Sequence, residues 1–194
     1  MIIWLNGAFG AGKTQTAYAL RRRLPGSYVY DPENAGYFLR KNLPPSLLPA
    51  DFQDLPLWRT LTADMLRYLA QRHPGPLIVP MTLVNRAYYD EIVTSLSQEQ
   101  DLRHLILCVS RETLQKRLSS RLEGPRSWAA LQMDRCFRAF EEEITERKLH
   151  TDGLTIEQAA ERAAEMCGLT LSQDRRSGLR KAVDRAVLQI RHIR

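Results

Sequence analysis

The run Gly7-Ala8-Phe9-Gly10-Ala11-Gly12-Lys13-Thr14 satisfies every fixed position of the phosphate-binding pattern G-x-x-x-x-G-K-[ST]. The chemistry needs these residue types at this spacing. Glycines let successive backbone N–H groups curl around phosphate oxygens, while the helix that follows presents the positive end of its dipole. Lys13 reaches the β/γ-phosphates, and Thr14 offers Mg²⁺ a hydroxyl, leaving the other metal positions to phosphate oxygens and water. With Gln15 directly after them, residues 7–15 form the candidate ATP-binding set, and ATP and Mg²⁺ are the cofactors the motif calls for. The pattern needs a strand before it and a helix after it. Ile2-Ile3-Trp4-Leu5 supplies the first, and Gln15 to Leu24, stopped by Pro25-Gly26, supplies the second.

Further positions are candidates for catalysis beside Lys13. Asp31 follows a second β-rich segment, Ser27-Tyr28-Val29-Tyr30, and is either a general base or outer-sphere magnesium partner, or a turn residue before Pro32. Glu33 is a weaker candidate for the same roles. Arg117 and Arg121 lie four apart on one helix face, flanked by Arg111 and Arg126. Such arginines either clamp phosphates and neutralise a moving phosphoryl group, or form a solvated basic face. The stretch Glu112 to Arg121 resembles the start of the lid in small-molecule and nucleotide kinases, where two arginines bracket adenine and phosphates. Arg135 and Arg138 are placed to face the same cleft, whereas Trp128 and Phe137 read as lid packing.

Positioning these residues takes alternating strands and helices. Beyond the first two strands, the apolar run Pro76 to Pro80 suits a strand buried on both faces, and His104 to Val109 suits a fourth. Lys148-Leu149-His150 is a weak fifth strand. Helices are expected over Leu57–Gln71, Arg86–Ser97, Arg111–Arg121, Trp128–Ile144 and Thr155–Cys167, and an irregular, proline-rich connection over Phe38–Ala50. This alternation predicts an α/β fold: an open, parallel, five-stranded sheet of the P-loop kinase type, flanked by helices, with a helical lid near residues 120–145. Ligands in such sheets bind at the carboxyl ends of the strands. The third strand ends in Pro80-Met81-Thr82, without the acidic residue that many ATPases place there. Thr82 and Asn85 either touch substrate or only shape the loop. Thr151 to Thr155 has the place of an adenine-side loop, with Thr155 also explicable as a helix cap. Trp58 is expected to be core, with an acceptor pocket as the other option.

The 194 residues, 44% of them hydrophobic, suffice for one domain spanning 1–171. Net charge is +6, and residues 172–194, with seven basic and two acidic side chains, hold +5 of it. Arranged as a helix, Leu179, Ala182, Val183, Ala186, Val187, Ile190 and Ile193 fall on one side and Arg180, Lys181, Arg185 and Arg191 toward the other. That basic amphipathic tail lies either on an anionic membrane surface or on the domain. Nucleic acid is an unlikely partner, because no binding motif accompanies the charge. No apolar run approaches the length of a membrane span, and no export signal is visible, so the expected location is cytoplasmic, with a peripheral membrane option. Three scattered cysteines and four scattered histidines suggest reduced thiols and no zinc site.

Several blocks, Ile3 to Gly10, Tyr28 to Glu33, Leu57-Trp58-Arg59, Ile78 to Thr82, Ser127 to Ala130 and Arg191 to Arg194, resemble the bacterial tunicamycin-resistance protein family in order and spacing. The resemblance implies an ATP-binding protein that protects its host from tunicamycin, a uridine-containing, lipid-linked antibiotic. Two functions fit it: phosphotransfer to a hydroxyl of a nucleoside-like small molecule, or ATP-dependent binding and sequestration of the drug.

Overall fold

A computed structural model of the protein describes residues 1–119 and 127–191. Its strands β1 (Ile2–Gly7), β2 (Tyr28–Val29), β3 (Leu77–Pro80), β4 (Leu102–Cys108) and β5 (Lys148–His150) form one parallel sheet in the order β2-β3-β1-β4-β5. This is the expected fold. Each strand is joined to the next through helices, and the sheet is wrapped on both faces, so its central strand is apolar from Ile2 to Leu5. Ile2, Ile3, Trp4 and Leu5 are wholly buried, paired on one side with Leu77 to Pro80 and on the other with Leu102 to Leu105.

Helix α1 (Lys13–Arg23) starts directly at the phosphate-binding motif. A helix α2 (Glu33–Asn42) then occupies part of the stretch expected to be irregular from Phe38. It forms because Pro32 starts it, Asp31 Oδ1 accepts the Glu33 N–H at 3.0 Å, and Leu39 and Gly36 bury against the domain. A Cβ at Gly36 would stand 2.6 Å from the Phe52 ring, so α2 can approach that ring only through a glycine. Helix α3 (Pro56–Arg72) crosses beneath it, with Trp58 fully buried and its Nε1 donating to Pro32 O at 3.0 Å. Trp58 is therefore a core pin and not the wall of an acceptor pocket.

The helix expected over Arg86–Ser97 is α4 (Arg86–Tyr89) and α5 (Ser95–Glu99), joined by a π turn at Asp90–Thr94. After α6 (Arg111–Ser119), the single helix expected from Trp128 to Ile144 is instead α7 (Trp128–Leu131), α8 (Met133–Arg138) and a second π turn, Ala139–Glu143. In each π turn the extra residue lets consecutive side chains, Ile92 with Val93 and Ala139 with Phe140, both face the core. The section near 120–145 is thus only partly described, and its second half is anchored by buried Met133, Cys136, Phe140 and Ile144. Arg121, Arg126 and the rest of 120–126 lie outside the described residues. Helix α9 (Ile156–Met166) packs on α1, and α10 (Gly178–Arg191) closes the described chain.

One buried polar cluster interrupts the apolar sheet. Asn6 Oδ1 accepts from the backbone N–H groups of Gly7 and Leu83, both at 2.9 Å, and Nδ2 donates to Leu83 O at 2.9 Å. Nδ2 also lies 3.2 Å from His104 Nε2, so that nitrogen accepts and Nδ1 carries the proton facing the Tyr89 hydroxyl at 3.3 Å. Burial drives the His104 pKa from 6.5 down to about 4. Because the folded state refuses a proton that the unfolded chain accepts, stability is lost as pH falls from about 6.5 towards 4, by roughly 3 kcal/mol for a shift of that size. Urea unfolding measured across this window should show that decline in the wild type and a much flatter profile in His104→Gln.

Candidate functional site

The loop between β1 and α1 has the geometry of a phosphate cradle. Gly7 adopts φ +140°, and a Cβ there would stand 2.7 Å from Leu107 O, so only glycine lets the loop leave the sheet this close to β4. Gly12, at φ +104°, occupies the cap position of α1 with no side chain capping the helix. The first-turn N–H groups of α1 therefore have neither intrahelical acceptors nor a side-chain cap, and the first turn carries no acidic residue. An anion is the partner this arrangement favours.

Lys13 is buried, and its Nζ donates to Gly7 O and Ala8 O, each at 3.0 Å, while standing 5.4 Å from the centre of the Phe9 ring. Its ammonium is thus held inside the loop by carbonyls that a phosphate can replace. Thr82, buried at the end of the β3 loop, donates its hydroxyl to the same Gly7 O at 2.8 Å. Of the two roles open to Thr82, the structure supports loop shaping. Thr82 O in turn accepts from Gln53 Nε2 at 2.9 Å.

Arg117 reaches the loop from α6, its Nη1 donating to Ala11 O at 2.9 Å. Its end lies 3.8 Å from where a Gly12 Cβ would stand, with Ile156 3.9 Å from the same point. Next to it, Asp152 accepts from the Ser110 N–H and hydroxyl and from the Thr113 hydroxyl, contacts that hold its carboxyl below the ordinary range, Thr113 most of all. Asp152 thereby ties the loop after β5 to the loop after β4. Thr155 completes a capping box with Gln158. Arg111 is drawn away to Asp134 and lies over the Phe137 ring. Phe9 meets Trp128 edge-on at 4.6 Å, so α7 touches the phosphate loop.

Asp31 stands at the end of β2, two strand spacings, or about 10 Å, from β1. One of its oxygens makes the turn to Glu33. Arg135 and Arg138 line a cavity of about 390 Å³ together with Val84 and Asn85. Asn85 caps α4, its Oδ1 accepting from Ala87 N and Tyr88 N. Among the described residues no group of three or more His, Cys, Asp or Glu side chains is placed to hold a metal. Magnesium at this site would rest on the Thr14 hydroxyl, phosphate oxygens and water, which suits that ion.

The tail lies on the domain, one of its two expected placements, but through its charged side and not through its apolar one. Helix α10 meets the domain through Lys181, Asp184, Arg185 and Leu188, while Leu179 (78%), Val183 (47%) and Val187 (42%) are exposed. Gln15 Nε2 donates to Arg185 O at 3.1 Å, Arg185 pairs with Glu157 at 3.3 Å, and Arg176 bridges Asp174 and Asp184. The charged side docks because α1 and α9 offer polar partners there. Sequence reasoning missed this, and it missed Asn6 and His104; a polar residue inside an apolar strand was the available signal for the latter pair.

Comparison with known proteins agrees with the geometry. The AAA domain family matches residues 2–143. The tunicamycin resistance protein of Deinococcus radiodurans is 36% identical, with a TM-score of 0.77 over 89% of this chain and 98% of that one. A sugar kinase from Janibacter sp. HTCC2649 shares the fold at 18% identity, with a TM-score of 0.61 over 87% of this chain and 95% of that one. A nucleotide-binding protein of Burkholderia pseudomallei (strain 668) is 31% identical over 121 residues, which are 61% of this chain and 32% of that protein, so the match spans about a third of that relative's length.

If Arg117 braces the loop, Arg117→Ala should weaken binding of a fluorescent ATP analogue about tenfold, the usual loss for a charged hydrogen bond, whereas Arg111→Ala should change it less than twofold. With the phosphate cradle, the parallel sheet order and these likenesses in place, the chain belongs to the AAA domain family and to the tunicamycin-resistance proteins within the P-loop kinase-like fold.

Proposed function

We propose that the protein is an ATP-dependent phosphotransferase acting on a hydroxyl of a nucleoside-like small molecule such as tunicamycin. The observation that carries this reading is the buried Lys13 ammonium, fixed 3.0 Å from both Gly7 O and Ala8 O at the mouth of an uncapped helix, with Arg117 on the same loop. Bound ATP with Mg²⁺ supplies the phosphoryl group. Lys13 exchanges its carbonyl partners for phosphate oxygens and offsets the charge that spreads over them in transfer. Arg117 adds positive charge beside the loop, Arg121 is assigned the same role from its sequence position, and Thr14 would offer its hydroxyl to the metal. Asp31 orients the acceptor hydroxyl and takes its proton. Catalysis on this account is positioning and electrostatics.

Incubation with ATP and tunicamycin should give a product heavier by one phosphate in mass spectrometry, with ADP formed in equal amount. Asp31→Asn should lower kcat about 10²- to 10³-fold, with nucleotide affinity unchanged. Unmodified drug with no ADP contradicts the transferase reading.

The second reading, sequestration of the drug at a membrane surface, draws on the exposed stripe Leu179, Val183 and Val187 beside exposed Arg180. Among the described residues no helix is long and apolar enough to cross a membrane, so contact would be peripheral. On this reading the full-length protein cosediments with vesicles containing anionic lipid, and Val183→Asp, on an exposed position, releases it. Equal sedimentation of both proteins excludes the stripe as the anchor.

A further inference from the structure

The cavity beside the β3 loop has a composition that a neutral acceptor does not use. Its walls are Val84, Asn85 and Arg86 on one side and Arg135, Arg138 and Glu143 on the other. Arg86 is neutralised by Asp90 at 2.9 Å and Glu146 at 3.7 Å, and its Nη1 bonds Glu143 O, so it serves as a strut. Arg135 and Arg138 are different. They lie three apart on one face of α8 and repel each other. Among the described residues, Arg135 has a single hydrogen bond, to Gln132 Oε1 at 3.3 Å, and the Asp51 carboxylate stands off at 3.9 Å. Among the described residues, Arg138 has no hydrogen-bond or ion-pair partner. Asn85 spends Oδ1 on its helix cap, which leaves Nδ2 as a further donor.

The cavity is close to the phosphate cradle. Thr82 touches Gly7 O, and Asn85 is only three residues further along, at most about 10 Å even for a fully extended chain. A ligand seated in the cavity is therefore within a small molecule's length of the transferring group.

The geometry points to an acceptor that carries its own anionic group, a phosphate or a carboxylate, held by the guanidinium groups of Arg135 and Arg138, with Glu143 accepting from neighbouring hydroxyls. Two planar guanidinium forks lining one cavity suit the oxygen geometry of either anion. This rests on the phosphotransferase reading and makes it narrower: the physiological acceptor is a phosphorylated or carboxylated hydroxy compound. A neutral nucleoside drug would occupy the site without engaging its arginines.

The test uses the full-length protein saturated with Mg²⁺ and a non-hydrolysable ATP analogue, so that the phosphate loop is filled. Inorganic phosphate, acetate and, as the neutral control, glycerol are titrated at constant ionic strength while the Asn85 and Arg138 amide resonances are followed. Saturable shifts are expected with an anion and not with glycerol. Arg135→Ala and Arg138→Ala, both at exposed positions, should each weaken anion binding about tenfold, and Arg138→Lys should restore part of it. Stronger binding of phosphate identifies a phosphorylated acceptor, and stronger binding of acetate a carboxylated one. Failure of both anions to bind, or equal binding in wild type and both alanine variants, overturns the proposal. ADP release, measured on the same preparations with ATP, reports on transfer separately. Anion binding without turnover keeps the anion site and removes the transferase reading, whereas turnover of neutral acceptors with no anion binding keeps transfer and removes the anion site.

Discussion

Asn6 is a polar side chain without solvent access, one residue before the phosphate loop, and the loop's position depends on it. Its amide replaces missing sheet partners for Gly7 and Leu83, so the chain leaving β1 and the chain leaving β3 are fastened to one point. A buried amide that satisfies three backbone groups is costly to remove, because each would be left without water or protein. His104 completes the arrangement by staying neutral, as a charged imidazole could not accept from the Asn6 amide. The sheet therefore sets where Gly7 turns, and Gly7 sets where Lys13 points.

From that fixed point the charges are arranged by elements of different kinds. Lys13 is held by local carbonyls, Arg117 by a helix from across the β4 crossover, and Asp31 by a turn that Trp58 pins through Pro32. Lys13 and Arg117 both meet the loop, and Asp31 stands after β2, two strands from β1. Such a division suits a reaction in which a phosphoryl group moves from the cationic side toward an acceptor oriented opposite it. The cavity flanked by Arg135 and Arg138 lies beside the loop after β3.

Much of this was legible in the sequence, for reasons that differ by residue. The loop from Gly7 to Thr14 could be read because phosphate geometry fixes its spacing, and the strands because burial on both faces leaves short apolar runs. Helix α2 was hidden. Only Gly36 and Leu39 mark its buried side, and the prolines at 44, 45 and 49 draw attention to the turns after it. The two π turns add a residue to helical segments whose apolar spacing looks regular. The partnership of Asn6 with His104 joins residues 98 positions apart, which no local pattern reveals. For α10 the amphipathic pattern was correct, but the docking face depended on Gln15 and Glu157, residues whose placement only the fold supplies.

The central claim, that residues 7–14 form a working triphosphate site facing Asp31, is most directly tested by a crystal structure with Mg²⁺ and a non-hydrolysable ATP analogue. The account predicts the phosphates inside the loop, Lys13 Nζ moved from the Gly7 and Ala8 carbonyls onto phosphate oxygens, Thr14 in the metal's shell and Asp31 facing the terminal phosphate. Nucleotide bound elsewhere, or a loop still closed on Lys13 at saturating nucleotide, would contradict it.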